Sequence, residues 1–225
     1  MIVVTGASKG LGRAICERLI EKDIEVFGLA RNVDKLPFAS VSCDVSSYDN
    51  VKTIAQRFKK DGYNITGLIN AAGIASMNLA VTTPQSVVQK IINTNLLGTI
   101  YCCQLIAPLM LRSKEGSIIN FSTIAVALGL KGESIYAASK SGVEGFTRSF
   151  AREMSDFNVK VNCIAPGPID TSLLKGITSD QISKIVSQQI IPKQYKPGAV
   201  ADLVELLLDP RSYSLSGQVL HIGGA

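Results

Sequence analysis

The run Thr5-Gly6-Ala7-Ser8-Lys9-Gly10-Leu11-Gly12 constrains this chain more than any other stretch. It follows Ile2-Val3-Val4, a β-branched run that reads as a buried strand. It leads into Arg13 to Ile20, where apolar residues recur at helical spacing. A glycine-rich turn at such a junction lets backbone approach a ligand closely. The free N–H groups and the dipole of the helix then favour negative charge. The turn predicts a phosphate cradle. Its spacing, Gly6-x3-Gly10-x-Gly12, departs from the Gly-x-Gly-x-x-Gly dinucleotide fingerprint, so a plain strand-to-helix connection stays open as the competing reading.

Strand-like and helix-like patterns alternate along the remainder, as in a parallel sheet covered on both faces. Further strands are expected at Ile24–Leu29, Val41–Val45, Ile65–Asn70, Ser117–Phe121, Val159–Ile164 and Gln218–Ile222. Helices are expected at Val51–Phe58, Val87–Leu111, Tyr136–Met154 and Ala199–Leu208, with a loop and helical section, the least regular stretch, from Pro166 to Lys193. No linker or repeat interrupts the pattern, which predicts an α/β fold in one domain, 1–225, around a doubly wound sheet of seven strands.

Hydrophobic residues make up 46% and charged residues 18%, which argues against disorder. No apolar run reaches the ~18 residues a membrane span needs. The first strand starts at Met1 or Ile2, so no signal or transit peptide is expected. Cys16, Cys43, Cys102, Cys103 and Cys163 are scattered through apolar runs without metal-ligand spacing, which suits core thiols in a reducing, cytoplasmic setting. His221 is the single histidine. It leaves no other base for a Ser-His-Asp triad, argues against a histidine-bound metal, and is expected to be a structural residue on the last strand. The net charge of +5 is dispersed, without the basic block of a nucleic-acid surface. It suits an anionic small molecule or an acidic carrier, or is simply a solvated surface.

In a doubly wound sheet ligands bind beyond the carboxyl ends of the strands, near the switch in strand order. Strand two ends in Ala30-Arg31-Asn32, where a cofactor with a free ribose 2′-OH would usually meet a carboxylate. Arg31 instead offers a planar fork for a 2′-phosphate, and Lys9 places a second cation nearby, which favours NADP(H) over NAD(H). Strand three ends in Asp44-Val45, where the carboxylate can accept from an adenine amino group or cap the next helix. Strand four ends in Asn70-Ala71-Ala72-Gly73. Its small residues admit a flat ribose or nicotinamide, while Asn70 itself ties strand to loop. Strand five ends in Ser122-Thr123. Tyr136 and Lys140, four apart on the next long helix, share one face with Cβ atoms about 5–6 Å apart. An ammonium beside a phenol would lower its ordinary pKa near 10 toward the range that acid-base work requires.

These motifs together resemble the short-chain dehydrogenase/reductase family in its single-domain, Rossmann-like form. The matching residues are Thr5-Gly6-x3-Gly10-x-Gly12, Asp44, Asn70-Ala71-Ala72-Gly73, Asn95, Ser122-Thr123, Tyr136-x3-Lys140 and Pro166-Gly167-Pro168-Ile169-x-Thr171. They run in the family's order over nearly the whole chain. The resemblance implies that Tyr136 is the acid-base residue, that Lys140 binds the nicotinamide ribose, and that Asn95 supports a water linked to Lys140. It implies a hydroxyl for the substrate oxygen thirteen residues before the tyrosine, which is Thr123 here where the family has Ser; Ser122 is the fallback. It also places the cofactor on Gly6, Ser8, Lys9, Gly10, Leu11, Gly12, Arg31, Asn32, Asp44, Val45, Asn70, Ala72 and Gly73. Tyr136, Lys140, Pro166, Gly167, Ile169 and Thr171 complete that set.

Within the family, the length, the lid region Thr171–Pro197 and the ending Leu215 to Gly224 are most similar to 3-oxoacyl-[acyl-carrier-protein] reductases. The implied activity is NADPH-dependent reduction of a carbonyl, first that of a 3-oxoacyl thioester, in a homotetramer or homodimer without a metal. Lys114 and Lys175 stand near where such reductases present basic residues to an acyl carrier protein, or are ordinary surface lysines. Two other readings compete: a reductase for another alcohol/ketone pair, and a cofactor-binding protein without turnover, motivated by Thr123.

Overall fold

A computed structural model describes residues 1–111, 115–174 and 176–225. Seven parallel strands form one sheet in the order β3-β2-β1-β4-β5-β6-β7. They are β1 Ile2–Thr5, β2 Val26–Ala30, β3 Ser40–Ser42, β4 Gly67–Asn70, β5 Gly116–Phe121, β6 Val159–Pro166 and β7 Val219–Ile222. All seven expected strands are present. β3 is shorter than expected and ends before Cys43, so Asp44 stands in the loop beyond the sheet edge.

Side-chain alternation along β1 explains the two cores. Val3 points into one apolar layer with Phe27, Leu29, Phe58 and Ile106, while Ile2 and Val4 point into the other with Ile15, Leu19, Val204 and Leu207. The first layer is closed by α2 (Tyr48–Lys60), α4 (Gly98–Ile106) and α6 (Ser134–Ser155), the second by α1 (Gly10–Ile20) packed on α8 (Pro197–Leu208).

The stretch read as one helix from Val87 is broken into α3 (Gln85–Ile92), a π-helical turn at Asn93–Leu97, and α4, before a 3₁₀ turn at Ala107–Leu109 containing Pro108. Such wide turns cluster at functional sites, and this one carries Asn95. The short α5 (Ala125–Leu128) after β5 adds to the reading, while α7 (Ser179–Val186) is the helical part of the section expected after β6. α7 begins with a capping box between Thr178 and Gln181.

Strand order reverses between β1 and β4, where Thr5 pairs with Asn70. The crevice expected at a switch point therefore opens over the glycine turn and the Asn70–Gly73 segment. Among the described residues no helix is long and apolar enough to cross a membrane, and no cluster of His, Cys, Asp or Glu could hold a metal. All five cysteines are buried and free, as their apolar surroundings predict.

Candidate active site

A cleft of about 440 Å³ lies beyond the carboxyl ends of the strands. The sequence-predicted residues Gly6, Ser8, Lys9, Gly10, Leu11, Arg31, Asn32, Asp44, Val45, Ala72, Gly73, Thr123, Tyr136, Lys140, Pro166, Gly167, Ile169 and Thr171 all line it. Gly12, Asn70 and Asn95 do not; they shape it from behind.

Gly12 sits against the first glycine. A Cβ there would strike the Gly6 carbonyl oxygen, so glycine lets α1 start directly over the end of β1. Gly6 itself has φ +67°, and a Cβ would meet Ala72 Cα at 2.8 Å. Its neighbour Thr5 accepts from the Ala72 amide at 3.0 Å, fastening the glycine turn to the β4 exit. α1 then begins after Lys9, which is extended and places no side-chain acceptor on the first N–H groups, and no acid stands in the first turn. These open amides at a helix N-terminus fit an anionic phosphate. Exposed Arg31 at the end of β2 makes no ion pair among the described residues. Asp44 lies close enough for Arg31 to help hold its carboxyl below the usual range, although burial opposes this and hydrogen bonds from Ser46 contribute more. Asp44 does not cap α2; Ser47 does, accepting from Asn50 N at 3.3 Å.

Asn70 donates to Asn120 Oδ1 at 2.8 Å, tying β4 to β5 below the cleft. Asn95, fully buried, clamps the backbone of Ile74. Its Oδ1 accepts from Ile74 N and its Nδ2 donates to Ile74 O, both at 2.9 Å, with a further bond to Ser139 Oγ at 3.1 Å. The π-helical turn rotates Asn95 toward this loop, and the clamp holds Gly73 in place. A Cβ on Gly73 would lie 3.5 Å from Asn95 Oδ1 and 3.6 Å from Lys140 Nζ, so glycine keeps the space before the lysine open.

Tyr136, Lys140 and Thr123 meet at the end of β5. Lys140 Nζ donates to the Phe121 carbonyl at 2.8 Å, and burial pushes its pKa down to about 8. Burial pushes the Tyr136 phenol well up, the negative charge of Glu133 pushes it further, and a hydrogen bond with Thr123 partly offsets both. The expected depression of this phenol by Lys140 is not what the geometry gives. The ammonium is directed at Phe121 O, and desolvation dominates. Of the two adjacent hydroxyls, Ser122 Oγ is committed to Glu144 Oε1 at 2.7 Å, whereas Thr123 Oγ1 faces Tyr136.

Past β6, Gln189 packs between two glycines: its Oε1 would collide with a Cβ at Gly167, and would lie 2.5 Å from one at Gly223. The pairing of Ile169 with Tyr195 closes the base of the segment that carries α7 over the cleft. Leu173, Leu174, Ile177 and Ile185 from this segment form an apolar wall. Sequence reasoning missed those residues and Glu133, the N-cap of α6, whose place three before Tyr136 was the available signal. Lys114 and Lys175, expected to meet a carrier, lie outside the described residues. His221 is exposed on β7.

Residues 1–182 match the model of a family described as short chain dehydrogenase. The chain belongs to the short-chain dehydrogenase family. Carbonyl reductase family member 4 of Xenopus laevis is 33% identical over 229 residues, covering 98% of this chain and 95% of the relative. A 3-oxoacyl-[acyl-carrier-protein] reductase of Vibrio harveyi is 32% identical over 231 residues, covering 99% and 95%. The solved structure of ElxO with NADP bound is 29% identical with a TM-score of 0.89, covering 98% of this chain and 96% of that one. As a short-chain dehydrogenase the protein is an oxidoreductase that works with a nicotinamide cofactor on CH–OH/C=O groups.

Proposed function

We propose that the protein is an NADPH-dependent reductase of a 3-oxoacyl thioester. The observation that carries the reading is the meeting of Thr123, Tyr136 and Lys140 in the same cleft as the open α1 N-terminus and the cations Lys9 and Arg31. NADPH, when bound, supplies the hydride. Its phosphates are assigned to the turn Gly6–Gly12, its 2′-phosphate to Lys9 and Arg31, its adenine to Asp44, and its nicotinamide end to Gly73, Lys140 and the segment Pro166–Thr171. Thr123 hydrogen-bonds the substrate carbonyl oxygen, and Tyr136 gives that oxygen its phenolic proton as the carbon gains hydride, so that C=O becomes CH–OH. Lys140 holds the ribose hydroxyls. Asn95 is a positioning residue through Ile74 and Gly73.

The thioester assignment rests on similarity to the Vibrio harveyi reductase and on the apolar wall of Leu173, Leu174, Ile177 and Ile185, which suits an acyl chain. An acyl carrier protein is the partner this implies, in a cytoplasmic fatty-acid pathway. The half-buried stacked pair Phe146–Phe150 on α6 supports pairing of that helix with a second copy in a homo-oligomer. A reductase of another ketone is the second reading, favoured by the similarity to a carbonyl reductase. The deciding experiment is Tyr136→Phe: turnover of 3-oxoacyl thioesters with NADPH should vanish while NADPH still binds. Unchanged turnover removes Tyr136 from the reaction. A wild-type protein that reduces simple ketones but no 3-oxoacyl thioester favours the second reading.

A further inference from the structure

Glu133 opens α6: its carbonyl accepts from Ala137 N at 2.7 Å, and its side chain is half-buried in the wall of the cleft one turn before Tyr136. Among the described residues, no hydrogen bond or ion pair engages the carboxyl, and it caps no N–H of its own helix. Leu130 stands beside it, its carbonyl accepting from Glu133 N at 3.2 Å, and Leu173, Leu174, Ile177 and Ile185 line the same cleft. Lys131 and Lys184 line a neighbouring pocket that shares Leu130 and Ile185, and neither pairs with the carboxyl. The cations that line the cleft are on other elements: Lys9 in the glycine turn, Arg31 after β2, and Lys140, which donates to Phe121 O. A half-buried carboxyl without a protein partner gains from a donor brought to it by a ligand. Glu133 stands three residues before Tyr136, one helical turn away, and both side chains line the one cleft, which puts the carboxyl on the wall that a substrate at Tyr136 would meet.

From this juxtaposition we infer that Glu133 is a specificity-determining residue that accepts a hydrogen bond from a neutral donor, a hydroxyl or an amide N–H, on the carbonyl substrate and rejects substrates carrying a carboxylate there. The inference rests on the reductase reading above. It narrows the substrate class to carbonyl compounds with such a donor beyond the reacting group.

The test compares kcat/KM at saturating NADPH for matched substrates. The N-acetylcysteamine thioester of 3-oxobutanoate carries an amide N–H, its ethyl thioester has no donor, and free 3-oxobutanoate carries the carboxylate; 4-hydroxybutan-2-one against pentan-2-one isolates a hydroxyl. Wild type should prefer the donor-bearing member of at least one pair by about tenfold or more, as for a hydrogen bond to a charged group. Glu133→Leu should bring that pair within about twofold, and Glu133→Gln, whose amide oxygen still accepts, should retain the preference while speeding free 3-oxobutanoate by about tenfold. Which pair responds separates amide from hydroxyl. Equal ratios in wild type and Glu133→Leu for both pairs overturn the inference and leave the reductase reading intact. Should Glu133→Leu not fold, equal ratios for both pairs in wild type and Glu133→Met, which has similar length and no acceptor, overturn it. Absence of turnover with every substrate in wild type sinks the reductase reading, and this inference with it.

Discussion

Ser122 Oγ donates to Glu144 Oε1 at 2.7 Å, and both residues are buried between β5 and α6. Glu144 Oε2 accepts from Arg148 Nη2 at 3.2 Å, one turn on along the same helix and exposed. The pair joins the strand end that carries Thr123 to the helix face that carries Tyr136 and Lys140, eight and four residues before Glu144. Removing the serine leaves a buried carboxylate oxygen without its donor. Ser122→Ala should therefore cost about 1–3 kcal/mol in urea unfolding. In the Ser122→Ala/Glu144→Leu double variant the cost should fall short of the sum of the singles, since the orphaned charge is gone. Additive losses would mean the two side chains act independently.

Thr123 separates hydroxyl chemistry from pocket size. Thr123→Ser retains the hydroxyl and should keep kcat within about threefold, whereas isosteric Thr123→Val should lower it by ~10²-fold, as for one lost donor at a developing oxyanion. NADPH affinity, read by fluorescence titration, should not change in either. A valine variant with wild-type kcat would remove Thr123 from substrate binding, and Ser122, already held by Glu144, would not replace it.

For cofactor choice, Lys9 and Arg31 act as a pair at the adenine end of the cleft. Lys9→Ala/Arg31→Ala should raise KM for NADPH by ~10–100-fold, the worth of hydrogen bonds to a charged group, and leave KM for NADH nearly unchanged. Losses of equal size for both cofactors would show that neither cation reads the 2′-phosphate.

Local chemistry made the strand ends legible in the sequence. β-Branched runs, glycines before a helix and the Tyr136/Lys140 spacing each follow from neighbours in the chain, and the cleft gathers them as expected. What stayed hidden depends on tertiary placement. The π-helical turn at Asn93–Leu97 adds one residue to a helical repeat, and the apolar residues before and after it still read as one helix. Ser122 and Glu144 lie twenty-two residues apart, and nothing in either motif announces the other. Gln189 meets Gly167 and Gly223 only because β6 and β7 are neighbours in the sheet. Leu173 and Ile185 flank an irregular stretch whose side of the cleft no periodicity could give.

Lys140 should make the free protein more stable as pH rises through the alkaline range. Burial lowers its pKa from an ordinary 10.5 to about 8 in the fold. Between these values the unfolded chain holds a proton that the folded one has released, so stability increases with pH across that window. Below pH about 8 both states are protonated and the cost of burying the ammonium is fully present; above the ordinary value both are neutral and it is gone. The shift corresponds to roughly 3 kcal/mol at neutral pH. Lys140→Met, similar in length and uncharged, should therefore unfold at higher urea than wild type at pH 7, with the gap closing toward pH 10.5. The gain will fall below the full shift, because Phe121 O loses its donor at 2.8 Å. The same variant should lose turnover, so the residue would be retained for the reaction at the expense of the fold. A Lys140→Met protein less stable than wild type at pH 7, by a margin that does not change with pH, would mean that the bond to Phe121 outweighs the burial of the charge.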